Sequence, residues 1–181
     1  MKKIKKLIGF TLIELLIVIA LLGALAVGLL AALDPFEQLK KGTDTGVRNT
    51  VSEFHGAVIR YYAIKNIMPW CANSDCSQVR DGNGEPDGNT SLKELPNTIN
   101  EIISTGELKQ DFISLAGDAT LSKIFVTGSN SNATVTVCFK PTSKSFINDP
   151  NTKFTQDGTE ITDGSCKSQG GTSLDCYWCI K

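Results

Sequence analysis

One acidic side chain lies inside the most apolar stretch of the sequence. Glu14 is the only charged residue in the range 7–33, and residues 15–33 carry no charged or strongly polar side chain. A carboxylate inside a membrane-spanning segment costs several kcal/mol unless it is paired, and it usually has a function. Nothing in the apolar run can pair with Glu14 in cis, so we expect a cation from elsewhere to meet it. The alternative is a tolerated carboxyl group near the membrane interface.

Cysteine is the second residue type whose side chain could take part in chemistry. Cys71 and Cys76 are close enough in sequence for a local disulfide, and Cys176 and Cys179 form a C-x-x-C, which is a redox pair when it opens a helix. Together these four residues would also suit zinc. We favour disulfides, since the C-x-x-C lies in β-prone sequence and an even number of cysteines in an exported body predicts disulfide bonds. The six cysteines predict three of them: Cys71, Cys76, Cys138, Cys166, Cys176 and Cys179.

Oxygen-bearing side chains alternate with glycine and proline in the loop 71–91, where they resemble the start of a calcium loop. The candidate ligands are Asp81, Asn83, Glu85 and Asp87. Pro86 replaces the turn glycine of an EF-hand and Leu92 its twelfth ligand, and such residues are also typical of solvated turns. We therefore favour a plain loop, with calcium as the alternative and no other cofactor.

No set of residues in the sequence predicts catalysis. The single histidine, His55, falls in a helical pattern, where we expect a surface or interface residue and not a catalytic base. No phosphate-binding loop and no Ser/His/Asp arrangement is visible, so we predict that the protein is not an enzyme. The formal charge of −1 gives no support to electrostatic binding of nucleic acid.

The apolar stretch is long enough to cross a bilayer as a helix. Four lysines precede it, at 2, 3, 5 and 6, and they favour a cytoplasmic N-terminus with the rest of the chain outside. An ordinary secretory signal with a cleavage site at Ala24-Leu25-Ala26 is one alternative. Glu14 and the apolar residues beyond that site argue against it. An uncleaved anchor is the other alternative.

The lysine-rich leader, Gly9, Phe10 and the following Thr-Leu-Ile-Glu resemble the class III signal of type IV pilins and type II secretion pseudopilins. The resemblance is strong over residues 1–33 and weaker to about residue 69. It implies that prepilin peptidase cuts between Gly9 and Phe10 and methylates the new amine of Phe10. It also implies that Glu14 meets the Phe10 amine of a neighbouring subunit during assembly.

The remaining segments predict an α+β fold. We expect a kink or helix restart at Asp34-Pro35 and a flexible joint over 34–46, where two glycines lower helix propensity. An apolar stripe then predicts an amphipathic helix that ends before Pro69; its members are Val47, Val51, Phe54, Val58, Tyr61 and Tyr62. Residues 92–116 have a second helical pattern with a stop at Gly106.

Strand signals dominate the C-terminal part. They fall at 123–127 and 134–140, which should form a hairpin, at 145–147 more weakly, and at 175–180, with an exposed loop over 148–173. The resemblance to pilins implies a long N-terminal helix packed on a small antiparallel sheet, with a cysteine pair that staples a C-terminal loop to the sheet. Cys138 is then the partner of Cys176 or Cys179, and we adopt the pairs Cys71–Cys76, Cys138–Cys179 and Cys166–Cys176.

The sequence is therefore interpreted as a leader at 1–9, a membrane and filament-core helix at 10–33, an amphipathic helical half at 34–69 and an extracytoplasmic domain at 70–181. The resemblance implies a homo-oligomeric filament that includes related minor subunits. It also implies prepilin peptidase, an assembly platform and an ATPase as partners. The subunit would wait in the inner membrane and then reach the cell surface, for adhesion or secretion. The alternatives are a membrane-anchored binding module that never polymerises and a pseudopilin with a calcium-binding loop.

Overall fold

The computed structural model describes residues 9–32, 34–82, 84–162, 166 and 175–181. The four leader lysines, Leu33, Asn83 and most of the stretch 163–174 lie outside the described residues. The chain divides into two compact units, residues 1–38 and 39–181.

Helix α1 spans Leu12–Ala32 and helix α2 spans Pro35–Lys65, so the predicted restart at Asp34-Pro35 is confirmed. Proline at the first helical position has no orphan N–H to satisfy, and the Glu37 N–H donates to Asp34 Oδ1 at 3.2 Å. The predicted joint over 34–46 was wrong in extent, because helix resumes at Pro35 and continues through Gly42 and Gly46.

The second unit is built on the buried face of α2. Five members of the predicted apolar stripe are buried there, and Tyr62 is half-buried. Three further α2 residues, Asp44, His55 and Ala57, are also buried. The helix ends at Lys65, and Asn66 follows with a φ of 55°. This confirms the predicted end of the helix before Pro69.

A five-stranded antiparallel sheet covers that face, in the order β1-β2-β3-β5-β4. The strands are β1 Asp87–Ser91, β2 Ile124–Ser129, β3 Thr134–Phe139, β4 Thr152–Phe154 and β5 Tyr177–Ile180. The hairpin β2–β3 and the C-terminal strand β5 were predicted from the sequence. Strand β5 pairs with β3 on one side and β4 on the other.

Short helices complete the unit: α3 Pro96–Ser104, α4 Phe112–Ala116, α5 Asp118–Leu121 and α6 Lys144–Ile147. Gly106 stops the α3 segment with a φ of 82°, as expected. Three predictions were wrong. Residues 145–147 are helical and not a strand, and β1 and β4 lie in segments that were predicted as loops.

The sheet has an apolar cluster on each face. The larger one joins α2 and α3 to inward residues of β2, β3 and β5. The smaller one contains Cys138, Phe154, Tyr177 and Cys179, with Phe125 packed against it. A long apolar N-terminal helix, a small antiparallel sheet and disulfides are thus all present, and the predicted α+β, pilin-like fold class is confirmed.

Candidate functional site

The expected processing residues, Gly9 and Phe10, are exposed in the segment before α1. Gly9 and Phe10 precede the first helical turn and are exposed, with 79% of Phe10 accessible in the isolated chain. Both residues therefore lie in non-helical backbone beside a helix start, where an enzyme can reach the peptide bond that joins them.

Glu14 closes the first turn of α1 onto Thr11. Its Oε2 accepts hydrogen bonds from the Thr11 backbone N–H at 2.8 Å and from the Thr11 hydroxyl at 2.7 Å. In return the Glu14 N–H donates to Thr11 Oγ1 at 3.3 Å. This reciprocal arrangement is a capping box, which satisfies orphan donors at a helix start.

The capping box corrects the sequence interpretation, which expected no partner for Glu14 within the run. The spacing Thr-x-x-Glu before an apolar stretch is the signal that would have found it. The donors of Thr11 are nevertheless neutral, so the capping box supplies no countercharge for the carboxylate. Among the described residues its second oxygen, Oε1, accepts no hydrogen bond and no cation approaches it.

Within the described part of the chain, one helix is long and apolar enough to cross a membrane. It covers Leu12–Leu30, has a mean hydropathy of 2.8 and buries none of its surface inside the protein. Its large side chains, such as Leu16, Ile17 and Leu25, are exposed in the isolated chain. A helix that is apolar all round requires an apolar environment, which a bilayer or other helices supply.

The cysteines of the second unit are all oxidised. The bonds join Cys71 to Cys76, Cys138 to Cys179 and Cys166 to Cys176, which are the pairs adopted above. The C-x-x-C residues 176 and 179 are bonded to different partners, so they do not form a redox pair with each other. No free cysteine remains in the described part of the chain to act as a zinc thiolate.

The acidic side chains of the 71–91 loop serve as local hydrogen-bond acceptors. Asp81 accepts from the backbone N–H groups of Asn97 and Thr98, at 2.8 and 3.0 Å, and from the Thr98 hydroxyl at 2.6 Å. These two N–H groups lie in the first turn of α3, whose N-cap position is Leu95, a residue that has no capping side chain. Asp81 therefore caps α3 from a distance.

Glu85 and Asp87 point to other partners. Glu85 Oε1 accepts from the Asn130 N–H at 2.5 Å, and Asp87 Oδ1 accepts from the Asn89 N–H at 3.0 Å. Among the described residues, the carboxylates of Asp81, Glu85 and Asp87 do not form a cluster with ligand atoms within 4.8 Å of one another. Calcium stays a prediction for this loop, and Asn83 lies outside the described residues.

His55 is buried, with 5% of its surface accessible, so of the two expected positions the surface one was wrong, while the interface one stays a prediction. It lies on the wall of an apolar groove of about 520 Å³ beside Ile59 and the start of β3. Burial lowers the pKa of His55 below its ordinary value, and a hydrogen bond with the Val135 backbone opposes that shift. The imidazole is therefore neutral near pH 7.

Comparison with known proteins assigns the N-terminus alone. Residues 6–30 match the family described as the prokaryotic N-terminal methylation motif. No curated protein and no solved structure matches the chain. The match covers the segment around Gly9, Phe10 and Glu14 together with most of α1.

Proposed function

We propose that this chain, which carries the class III signal of type IV pilins and pseudopilins, is a structural subunit of an envelope filament. The single observation that carries the proposal is a fully exposed apolar helix, Leu12–Leu30, that has one charged residue, Glu14, in its first turn. A membrane anchor needs the helix but not the charge, whereas an assembling helix has a use for both. The processed subunit waits in the inner membrane and then packs this helix into a filament core.

Processing comes first in this scheme. Prepilin peptidase cuts between Gly9 and Phe10 and methylates the new amine. Removal of residues 1–9 with their four lysines changes the formal charge of the chain from −1 to −5. The exposure of both residues supports access by the peptidase. The substitution Gly9→Glu should therefore block cleavage, and a mature chain that begins at Phe10 in this variant would contradict the scheme.

Assembly then uses the charge of Glu14. The Phe10 amine of a neighbouring subunit approaches the carboxylate, whose Oε1 has no hydrogen-bond donor among the described residues of its own chain. In a medium of low dielectric constant an ion pair is far stronger than in water. Pairing Glu14 with this amine therefore favours one axial stagger of neighbouring helices over all others.

The remaining partners follow from the same scheme. The subunit is extracted from the membrane by an assembly platform driven by an ATPase, and related minor subunits share the filament. The second unit, residues 39–181, remains outside the membrane, where an oxidising environment supports its three disulfides.

Three substitutions separate the charge of Glu14 from its capping role. Glu14→Ala removes both, Glu14→Gln keeps an oxygen for Thr11 but removes the charge, and Thr11→Ala removes the hydroxyl but keeps the charge. We expect processing to be intact in all three. Filament yield should fall at least about tenfold in both Glu14 variants, the effect of losing about 1.4 kcal/mol per contact, and far less in Thr11→Ala.

Filament yield is measured on sheared filaments by electron microscopy and immunoblotting. The matched control is Glu53→Ala, which removes an exposed glutamate of α2. Normal filaments from Glu14→Gln together with failure of Thr11→Ala would show that Glu14 acts only as a helix cap. A non-polymerising anchored module predicts that wild-type protein in cells retains its leader and stays monomeric, which the intact mass and the sheared fraction decide.

A further inference from the structure

A groove between α2 and α6 is rich in hydrogen-bond donors. It has a volume of about 380 Å³, and its polar lining consists of Lys41, Thr45, Arg48, Asn49, Ser145 and Asp149. The four α2 residues are spaced so that they lie on one face of the helix. We call this feature the Arg48 groove; it lies entirely within the second unit.

Aromatic rings hold the central cation of the Arg48 groove. The Arg48 guanidinium carbon lies 4.9 Å from the ring centroid of Trp178 and 5.9 Å from that of Phe146. A guanidinium attracted to ring faces does not use its N–H groups on a charged partner, so they can still donate to an oxyanion. Among the described residues, no acceptor receives a hydrogen bond from Arg48.

Two more donors of the Arg48 groove have no partner among the described residues, namely the Lys41 ammonium and the Asn49 amide. The Thr45 hydroxyl is engaged, since it donates to the Lys41 carbonyl at 2.7 Å. Asp149 contributes the opposing charge, and its Oδ1 accepts from the Asn151 N–H at 2.8 Å. The groove therefore contains two cations, Lys41 and Arg48, and one carboxylate, Asp149, which already accepts a hydrogen bond within its own loop.

We propose that the Arg48 groove binds a phosphate group. A held guanidinium with a free N–H edge presents paired donors to an oxyanion. The non-bridging oxygens of a phosphate are tetrahedrally arranged and each accepts more than one hydrogen bond, so one phosphate group can receive donors from Arg48, Lys41 and Asn49 at once. The phosphate comes either from a phospholipid headgroup or from free phosphate in the surrounding solution.

The test uses the full chain in non-ionic detergent at physiological salt, with binding of inorganic phosphate measured by calorimetry. Native mass spectrometry in micelles doped with phosphatidylglycerol or phosphatidylcholine measures lipid retention in parallel. Arg48→Gln and Lys41→Gln should each weaken binding at least about tenfold, because each removes charge-assisted hydrogen bonds. Asp149→Asn should strengthen binding, since the amide oxygen still accepts from the Asn151 N–H while the opposing charge is lost.

Lys93→Gln is the matched control, because it removes a lysine that is paired with Asp118 at 3.1 Å elsewhere on the surface. Lys41→Gln keeps the test valid if Arg48→Gln disturbs the packing on Trp178. Binding of inorganic phosphate identifies the free anion as the ligand. Retention of phosphatidylglycerol that depends on Lys41, without binding of inorganic phosphate, identifies the lipid headgroup as the ligand. Absence of both, retention of lipid alone that Lys41→Gln does not reduce, or equal weakening by Lys93→Gln overturns the proposal.

Discussion

Substitution of Asp44 should loosen the second unit more than any change at its surface. This carboxylate is only 3% exposed although it lies on α2. Its oxygens accept from the Thr142 N–H at 2.9 Å, the Thr142 hydroxyl at 2.9 Å and the Ser143 N–H at 2.7 Å. Asp44 thereby fixes the turn that begins α6, almost one hundred residues further along the chain.

The magnitude follows from which donors lose their partner in Asp44→Ala. The Ser143 N–H belongs to a fully buried residue, and a buried donor without an acceptor costs about 1–3 kcal/mol. Thr142 is exposed, so its two donors recover most of their hydrogen bonding from water. Because the bonds from Thr142 are also charge-assisted, we expect Asp44→Ala to lower the free energy of unfolding by about 2–4 kcal/mol.

The assay is thermal unfolding of the full chain in detergent, followed by near-ultraviolet circular dichroism. A loss of this size should lower Tm by about 5–15 °C for a unit of this length. Asp44→Asn should fall between wild type and Asp44→Ala, because one acceptor oxygen remains while the amide N–H₂ opposes another donor. Glu53→Ala should stay within about 0.5 kcal/mol of wild type. Unfolding of Asp44→Ala at the wild-type temperature would refute this account of the buried carboxylate.

Two further predictions concern glycine and histidine. Gly128→Ala should destabilise the second unit by about 1–3 kcal/mol in urea, because its Cβ would lie 2.3 Å from Trp70 Cη2. Gly46→Ala, in open space on α2, should instead stabilise it by up to about 1 kcal/mol; equal effects of the two would contradict the packing argument. Burial lowers the pKa of His55 from its ordinary value of 6.5, so the unfolded chain binds a proton at this residue more readily than the folded chain does. The free energy of unfolding should therefore fall as the pH drops from about 7 to 5. His55→Phe should flatten this dependence in Tm measurements, and an unchanged slope would mean that another group titrates there.

The sequence was informative where local patterns determine structure. The stripe from Val47 to Tyr61 has a helical period, and β2 and β3 have alternating β-branched residues on both sides of a polar turn. Hydrophobic periodicity depends on near neighbours alone, so it can be recognised without the fold. The motif around Gly9 and Glu14 is equally local, and the match to residues 6–30 covers it.

Distant contacts determine the elements that were missed. Residues 145–147 are too few to show a period, and Asp44 fixes the backbone just before them. Strand β1 has the sequence DGNTS, in which Thr90 is the one β-prone residue, and its extended form depends on pairing with β2. Asp81 was interpreted as a candidate metal ligand because its role as the cap of α3 requires contacts sixteen and seventeen residues away.

The order of the cysteines along the chain has a consequence for biogenesis. Cys71 and Cys76 are consecutive, so an oxidase that joins thiols in order of their emergence from the translocation channel would pair them correctly. The next thiol to emerge, Cys138, would then be joined to Cys166, whereas its native partner is the last cysteine, Cys179. In the exported topology proposed above, native pairing therefore requires either a disulfide isomerase or a delay in oxidation until β5 has been exported.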